Sequence, residues 1–377
     1  MIVLLFPLVG SRTQAYVTPE GYNDHDYQKT VGFLEKVHGG VKNGERISLD
    51  YDPEDPGTFG VSWGWDQDTD TFGIVGVNWG STGLQGTLDL SGCTSLSYLN
   101  VYGNDITEID VSGCDSLQSL SCNENQLTKL DVSGCESLED LYCWENQLTE
   151  LDVSGLVLLK DLSCWGNNLA ELDVSVCASL ESLDCSNNQL TELKLDGCTS
   201  LARLYCAENQ LTQLDVSGFV LLEDLFCSGN NLASLNLTGC SGLLRLDCAE
   251  NQLTQLDVSA CASLVSLYCA NNSLEELDVQ GLAYLENLYV WDNALVALNA
   301  SGCISLQGLS VSDESLKNLD VRGCESLGYL YCGGNQLTWL DLEGCTSLEM
   351  LHCWGNNLAE LDVSVCASLE SLDCSNN

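Results

Sequence analysis

LQSLSCNENQLTKLDVSGCES, residues Leu117 to Ser137, is one turn of a pattern that returns every 21 residues. It runs without insertion or deletion from about Leu88 to the last residue. Stepping by 21 from Asn104 to Asn377 meets fourteen positions, of which thirteen are Asn and only Glu314 departs. A fixed period of this size means a stacked solenoid, because one such unit cannot bury its apolar side alone.

Each unit has two similar halves. The first is carried by Leu117, Leu120, Cys122 and Asn125, the second by Leu127, Leu130, Val132 and Cys135. The L-x-C and L-x-V alternations have the period of two that marks a strand with one buried face. No helical periodicity runs through the repeat. Stacked turns hide backbone N–H and C=O groups, and the Asn amide, which both donates and accepts, is suited to satisfy them.

The first half resembles the leucine-rich-repeat motif, L-xx-L-x-(L/C)-xx-N-x-L, over roughly residues 86–377. The doubled pattern is similar to the short bacterial class of these repeats, found in internalin-related surface and secreted proteins. The resemblance implies a β-rich, right-handed, curved solenoid of about fourteen 21-residue coils. It also implies a parallel sheet of L-x-C strands on the concave face, with Asn bonding the backbone of the turns.

Of 377 residues, 45 % are hydrophobic, enough for a core, and 55 acidic against 12 basic residues give a net charge of −43. Such a surface argues against nucleic acid and anionic membranes as partners. No apolar run reaches the length of a membrane span, so membrane insertion is not expected.

Residues 1–15 open with MIVLLFPLVG and read as a truncated signal-peptide-like segment, with an apolar strand as the alternative. Residues 16–85 do not repeat. Asn23 or Asp24 is placed to cap a helix reaching about Val37. Leu49 to Phe59 reads as a loop. GVSWGW (60–65) and FGIVGVNW (72–79) flank a polar turn and predict a hairpin. This helix and hairpin are expected to form a small α+β cap over the exposed end of the solenoid. The lead-in also resembles the segment before such repeats in secreted proteins of gut bacteria. Asp66, Asp68 and Asp70 start like a calcium loop, but the twelfth position is Val77, which leaves a solvated turn. The array, residues 86–377, stops inside a unit, and the expectation is a fragment of a longer protein. Residues 353–377 repeat residues 164–188 letter for letter.

All 22 cysteines fall in two columns, one from Cys93 to Cys366 and one from Cys122 to Cys374. Gaps in these columns hold Leu156, Phe219, Leu282, Val290 and Val311. Slots that accept Leu, Phe or Val are interior slots, so buried thiols are expected. Disulfides between rungs are the rival reading, disfavoured because stacked Cβ vectors run parallel. A metal site is not expected, since the only histidines, His25, His38 and His352, lie apart in sequence.

Three columns point outward from the first strand, beginning at Tyr98, Asn100 and Tyr102. They hold 42 residues, 13 of them aromatic; the matching columns of the second strand also hold 42, with Trp339 alone aromatic. Strand propensity acts on both alike, so it cannot produce this asymmetry. Exposed rings mark a recognition face. Tyr142, Trp144, Trp165, Tyr205, Phe226, Tyr268, Tyr289, Trp291, Tyr331 and Trp354 are therefore the candidate ligand-binding residues, with Asp140 and Asp161 beside them. Asp184, Asp224 and Asp247 share this face, with Arg203 and Arg245 as its rare positive points. The competing reading is that rings on adjacent rungs stack on one another and stiffen the sheet. On the second face Asp recurs at eleven of fourteen positions, usually with Ser two residues on, as Asp131 and Ser133. Stacked carboxylates are expected to raise one another's pKa and to need hydroxyl or backbone donors, with weak calcium binding as the alternative.

No phosphate loop, nucleophile elbow or H-E-x-x-H motif occurs, and no cofactor or catalytic residue is expected. The chain reads as a secreted or bacterial cell-surface adhesion module. It is expected to be a monomer that binds a protein or carbohydrate ligand on a host or neighbouring cell. The alternative is a structural spacer projecting another domain.

Overall fold

The computed structural model describes residues 16–55, 60–67, 69–312 and 315–377. The signal-like segment, Asp68 and Glu314 lie outside these residues.

Helix α1 is Asp24–Leu34. The Asn23 side chain accepts from the Asp26 N–H at 3.3 Å, and Asp24 and Asp26 place negative charge at the positive end of the helix. The helix stops three residues before the predicted Val37. Val37–His38 (β1) turns through Gly39 and Gly40, both at positive φ, and pairs with Val41–Lys42 (β2). A short helix α2, Asn43–Ile47, follows and was not legible in the sequence. The hairpin is present as β3 (Val61–Asp66) and β4 (Thr71–Asn78), antiparallel with an irregularity between Ser62 and Trp63.

Strand β4 then pairs in parallel with Tyr98–Asn100, so the hairpin continues the sheet of the repeats. That sheet has sixteen strands among the described residues, one from each coil after the hairpin. Successive coils pair in strict register; Leu141 lies beside Leu120 and Leu162. A 21-residue step therefore sends the same column to the same face at every rung, about 5 Å apart. The N-terminal segment is tied to the first coil by side chains. Phe33 stacks on Trp79 at 5.6 Å, and the fully buried Asn43 amide donates to the carbonyls of Phe33 and Gln85. Lys29 reaches Asp89 and Ser91.

Leucines and cysteines of the repeat fill the interior. Leu120, Cys122, Leu127, Leu138, Leu141 and Cys143 are all fully buried. No disulfide forms among the described residues, and all the cysteines but Cys374 are buried. Several thiols of the first column donate to a carbonyl of the preceding coil, as Cys114 does to Leu90 and Cys198 to Val174, both at 3.2 Å. Burial pushes the Cys135 and Cys177 thiols up to about 11, so they stay protonated and unreactive at neutral pH.

The Asn column stitches neighbouring coils. Asn146 Oδ1 accepts from Leu127 N–H at 2.9 Å, and its Nδ2 donates to the carbonyls of Cys122 at 3.0 Å and Cys143 at 3.1 Å. Asn188, Asn209 and Asn230 repeat this set. The residue before each Asn is left-handed. Gly occupies that position at 166 and 229, while Glu124, Glu145 and Glu208 hold φ of 53°, 50° and 54°.

The second half of the repeat departs from expectation. Among the described residues, regular strand pairing occurs there only between Gln85–Asp89 and Asp105–Asp110, Glu171–Asp173 and Glu192–Lys194, and Ala297–Asn299 and Asn318–Asp320; single bridges join four further pairs of coils, as Asp110 with Asp131. Asp131 Oδ1 takes the Ser133 N–H at 3.0 Å, and the same turn follows segments that do pair, as at Asp89 and Asp173.

Candidate functional site: the aromatic and acidic sheet face

The strict register brings every ring predicted for the first outward face onto the long sheet. Tyr142, Tyr205, Phe226, Tyr268, Tyr289 and Tyr331 share one column, and Trp144, Trp165, Trp291 and Trp354 another. The rings meet across rungs. Trp144 and Trp165 stack with centroids 5.0 Å apart and planes 9° apart; Tyr268 and Tyr289 stack at 5.0 Å and 7°. Tyr205 meets Phe226 edge-on at 5.2 Å, and Tyr331 meets His352 edge-on at 5.0 Å. The stacking foreseen as the competing reading is thus real, and most of these rings are half-buried. Trp291 and Tyr329 stay open, at 37 % and 45 % exposure.

At two places a ring lies down upon a glycine of the preceding rung. A Cβ on Gly333 would come within 2.5 Å of the Trp354 ring. Tyr102 covers Gly80 in the same way.

The carboxylates of this face sit beside the rings. Asp140 and Asp161 are neighbours in register. Burial, and then Glu139, raises the Asp140 pKa; burial, and then Asp140, raises that of Asp161. Burial also raises Asp184. The Tyr142 hydroxyl is pushed up to about 12 by burial and by Asp161 and Asp140. Desolvation is the common cause: the rings exclude water from the carboxylates between them. Further along, Asp224 is almost fully buried and is held by a bidentate Arg245, with Nε and a terminal nitrogen at 2.5 and 2.6 Å. Ser228 donates to Asp247 at 3.1 Å.

The opposite face behaves in the reverse sense. Asp131, Asp152, Asp173, Asp215 and Asp257 are all held below the usual carboxylate range, chiefly by the hydroxyl of the Ser two residues on. The expected mutual rise is therefore corrected. Repulsion between rungs is outweighed by donors built into the same turn, such as Ser133 Oγ at 2.6 Å from Asp131.

The family pattern described as "Leucine Rich repeats (2 copies)" matches residues 178–220. No curated protein sequence matches the chain. Among solved structures, the functional domain of InlJ from Listeria monocytogenes, described as including a cysteine ladder, is 31 % identical. That match has a TM-score of 0.61 and covers 75 % of this chain and 68 % of that one. YopM from Yersinia enterocolitica WA-314 is also 31 % identical, with a TM-score of 0.69 over 78 % of this chain; this chain spans 63 % of YopM. At 22 % identity and a TM-score of 0.62, the leucine-rich-repeat ectodomain of the Arabidopsis thaliana receptor kinase GASSHO1/SCHENGEN3 shares the fold; the match covers 82 % of this chain and 45 % of that one. The chain belongs to the leucine-rich-repeat family. Its structural neighbours include bacterial proteins of the internalin and YopM kind, and the fold is a scaffold for protein interaction.

Among the described residues, no helix is long and apolar enough to cross a membrane.

Proposed function

We propose that the chain is a recognition module that binds a protein ligand on the aromatic and acidic sheet face, at a bacterial surface or after secretion, as a monomer. The observation that supports this reading is the segregation of rings: stacked or half-buried rings and desolvated carboxylates on one sheet, and a polar Asp and Ser face on the other. Tyr142, Trp144, Trp165, Tyr205, Asp140 and Asp161 form the heart of the proposed surface, and Phe226, Tyr268, Tyr289, Trp291, Tyr331 and Trp354 extend it. A rigid solenoid loses little entropy on binding, so many shallow contacts add up.

The ring geometry favours protein over carbohydrate. A sugar stacks on an open ring face, but in the Trp144–Trp165 and Tyr268–Tyr289 pairs each ring turns one face to its neighbour. What these pairs present to a ligand is an apolar edge and rim that suits apolar side chains, beside carboxylates that attract Lys and Arg. The plant ectodomain of the same fold, crystallised in complex with CASPARIAN STRIP INTEGRITY FACTOR 2, is a relevant precedent for a bound partner.

The test is binding of the full chain to an array of host cell-surface ectodomains and to a glycan array. The parent is compared with Trp144→Ala/Trp165→Ala, and melting is recorded for both. Loss of an ectodomain signal by tenfold or more with retained folding supports the proposal. Glycan binding alone, or binding indifferent to the two tryptophans, overturns it; the second result favours a spacer.

A further inference from the structure

We propose that His25, Asp26 and Cys93 form a zinc site that pins helix α1 to the first coil. The three residues come from two distant parts of the chain, and one ligand atom from each lies within 4.8 Å of the other two. His25 Nδ1 is 3.2 Å from Asp26 Oδ1. Ligands around tetrahedral zinc sit about 2.0–2.3 Å from the ion and so roughly 3.3–3.8 Å from one another. The cluster therefore needs an inward movement of about 1 Å to coordinate the ion.

The local framework is prepared for this. Asp26 is 4 % exposed, and its Oδ2 accepts from Ile74 N–H at 2.9 Å, which fixes the carboxylate with Oδ1 toward the histidine. Cys93 is fully buried, while the His25 side chain is about half exposed, at 48 %, and offers a path from solvent. The His25 ring packs over Gly92, where a Cβ would stand 3.3 Å from Cε1.

Several thiols further along the column donate to a carbonyl of the coil before them, as Cys114 does to Leu90. For Cys93 that place is taken by α1, which brings a carboxylate and an imidazole to the thiol. Thiolate, imidazole and carboxylate together favour zinc over magnesium or calcium, which take oxygen ligands. On binding, the Cys93 S–H bond breaks, its proton leaves to solvent and the sulfur pair goes to zinc. A ring nitrogen of His25 and Asp26 Oδ1 supply two more pairs, and water takes the fourth position on the solvent side.

The experiment uses the full chain carrying Cys374→Ser, which removes the exposed thiol. It is incubated with zinc chloride and desalted, and retained metal is measured by mass spectrometry alongside the melting midpoint. Cobalt(II) is added in parallel, to read thiolate-to-metal charge transfer in the near ultraviolet. The expected result is about one zinc per chain, a raised midpoint and a cobalt–thiolate band. All three are lost in His25→Ala and in Cys93→Val. Val suits a column that already accepts Leu156 and Leu282, and His25→Ala keeps the test alive should Cys93→Val fail to fold. No retained zinc in the parent, or equal retention in His25→Ala, overturns the proposal and leaves the cluster as a hydrogen-bonded contact.

Discussion

The two outward faces are built by one repeat, yet most of the carboxylates whose pKa moves are treated in opposite ways; Asp373, held low by Ser375 on the last rung of the long sheet, is the exception. On the long sheet Asp161 lies among rings and beside Asp140, and its pKa is raised. On the other face Asp131 lies in a turn with Ser133, and its pKa is lowered. The first arrangement leaves charge that a ligand could neutralise; the second satisfies charge internally. A surface whose carboxylates have been given donors by their own turns has little to gain from a partner. That contrast, more than the count of rings, is why recognition is proposed for the long sheet.

The comparison can be broken at several points, and the largest effect belongs to the column that holds both faces together. Asn146→Ala leaves the buried Leu127 N–H without a partner, while the Cys122 and Cys143 carbonyls keep Asn125 and Asn167. At about 1–3 kcal/mol for the unsatisfied donor and about 1 kcal/mol for each of the two other bonds lost, the expected loss is on the order of 3–5 kcal/mol, seen as a lower midpoint in urea. Next comes the interior behind each face. Leu141→Ala, under the long sheet, should cost about 3–5 kcal/mol, and Leu151→Ala, 7 % exposed in the second half, nearer 2 kcal/mol. Equal costs would show that the two halves are packed alike. Trp165→Ala should remove about 1 kcal/mol of ring pairing in addition to its lost burial, measured by a double-mutant cycle with Trp144.

The smallest effects are the most discriminating, because their signs differ. A carboxylate with a lowered folded pKa contributes stability above its unfolded value, about 3.9, and loses it as pH falls through the folded value. Asp131→Asn should therefore be less stable than the parent at neutral pH, with the gap closing in acid. A carboxylate with a raised folded pKa contributes fully below about 3.9 and loses that contribution as pH rises through the folded value. Asp161→Asn should therefore match or exceed the parent at neutral pH and lose that advantage in acid. Urea midpoints at neutral and acidic pH check both, and the same sign for the two variants would sink the comparison.

Much of this architecture was legible because a fixed period reduces the fold to one coil. The Leu and Cys columns predicted the interior, the Asn column predicted the stitching, and alternation predicted which face carries the rings. What escaped the sequence depends on neighbours in space. The second half pairs regularly at only three places among the described residues, an outcome that alternation does not reveal. Trp354 lies flat only because Gly333 precedes it by one coil. His25 and Asp26 meet Cys93 across a separation that no motif spans. The duplicated segment makes the same point: Leu183 is fully buried, while the identical residue Leu372, with no following coil packed on it among the described residues, is 43 % exposed.

Alkylating the native protein and counting modified thiols by mass spectrometry tests the stacked register most directly. The account predicts rapid modification of Cys374 and protection of the other 21 of the 22 cysteines until the chain unfolds. Rapid modification of Cys122, Cys143 or Cys164 in the folded protein would contradict it, because those thiols would then face solvent and the rings could not all lie on one side.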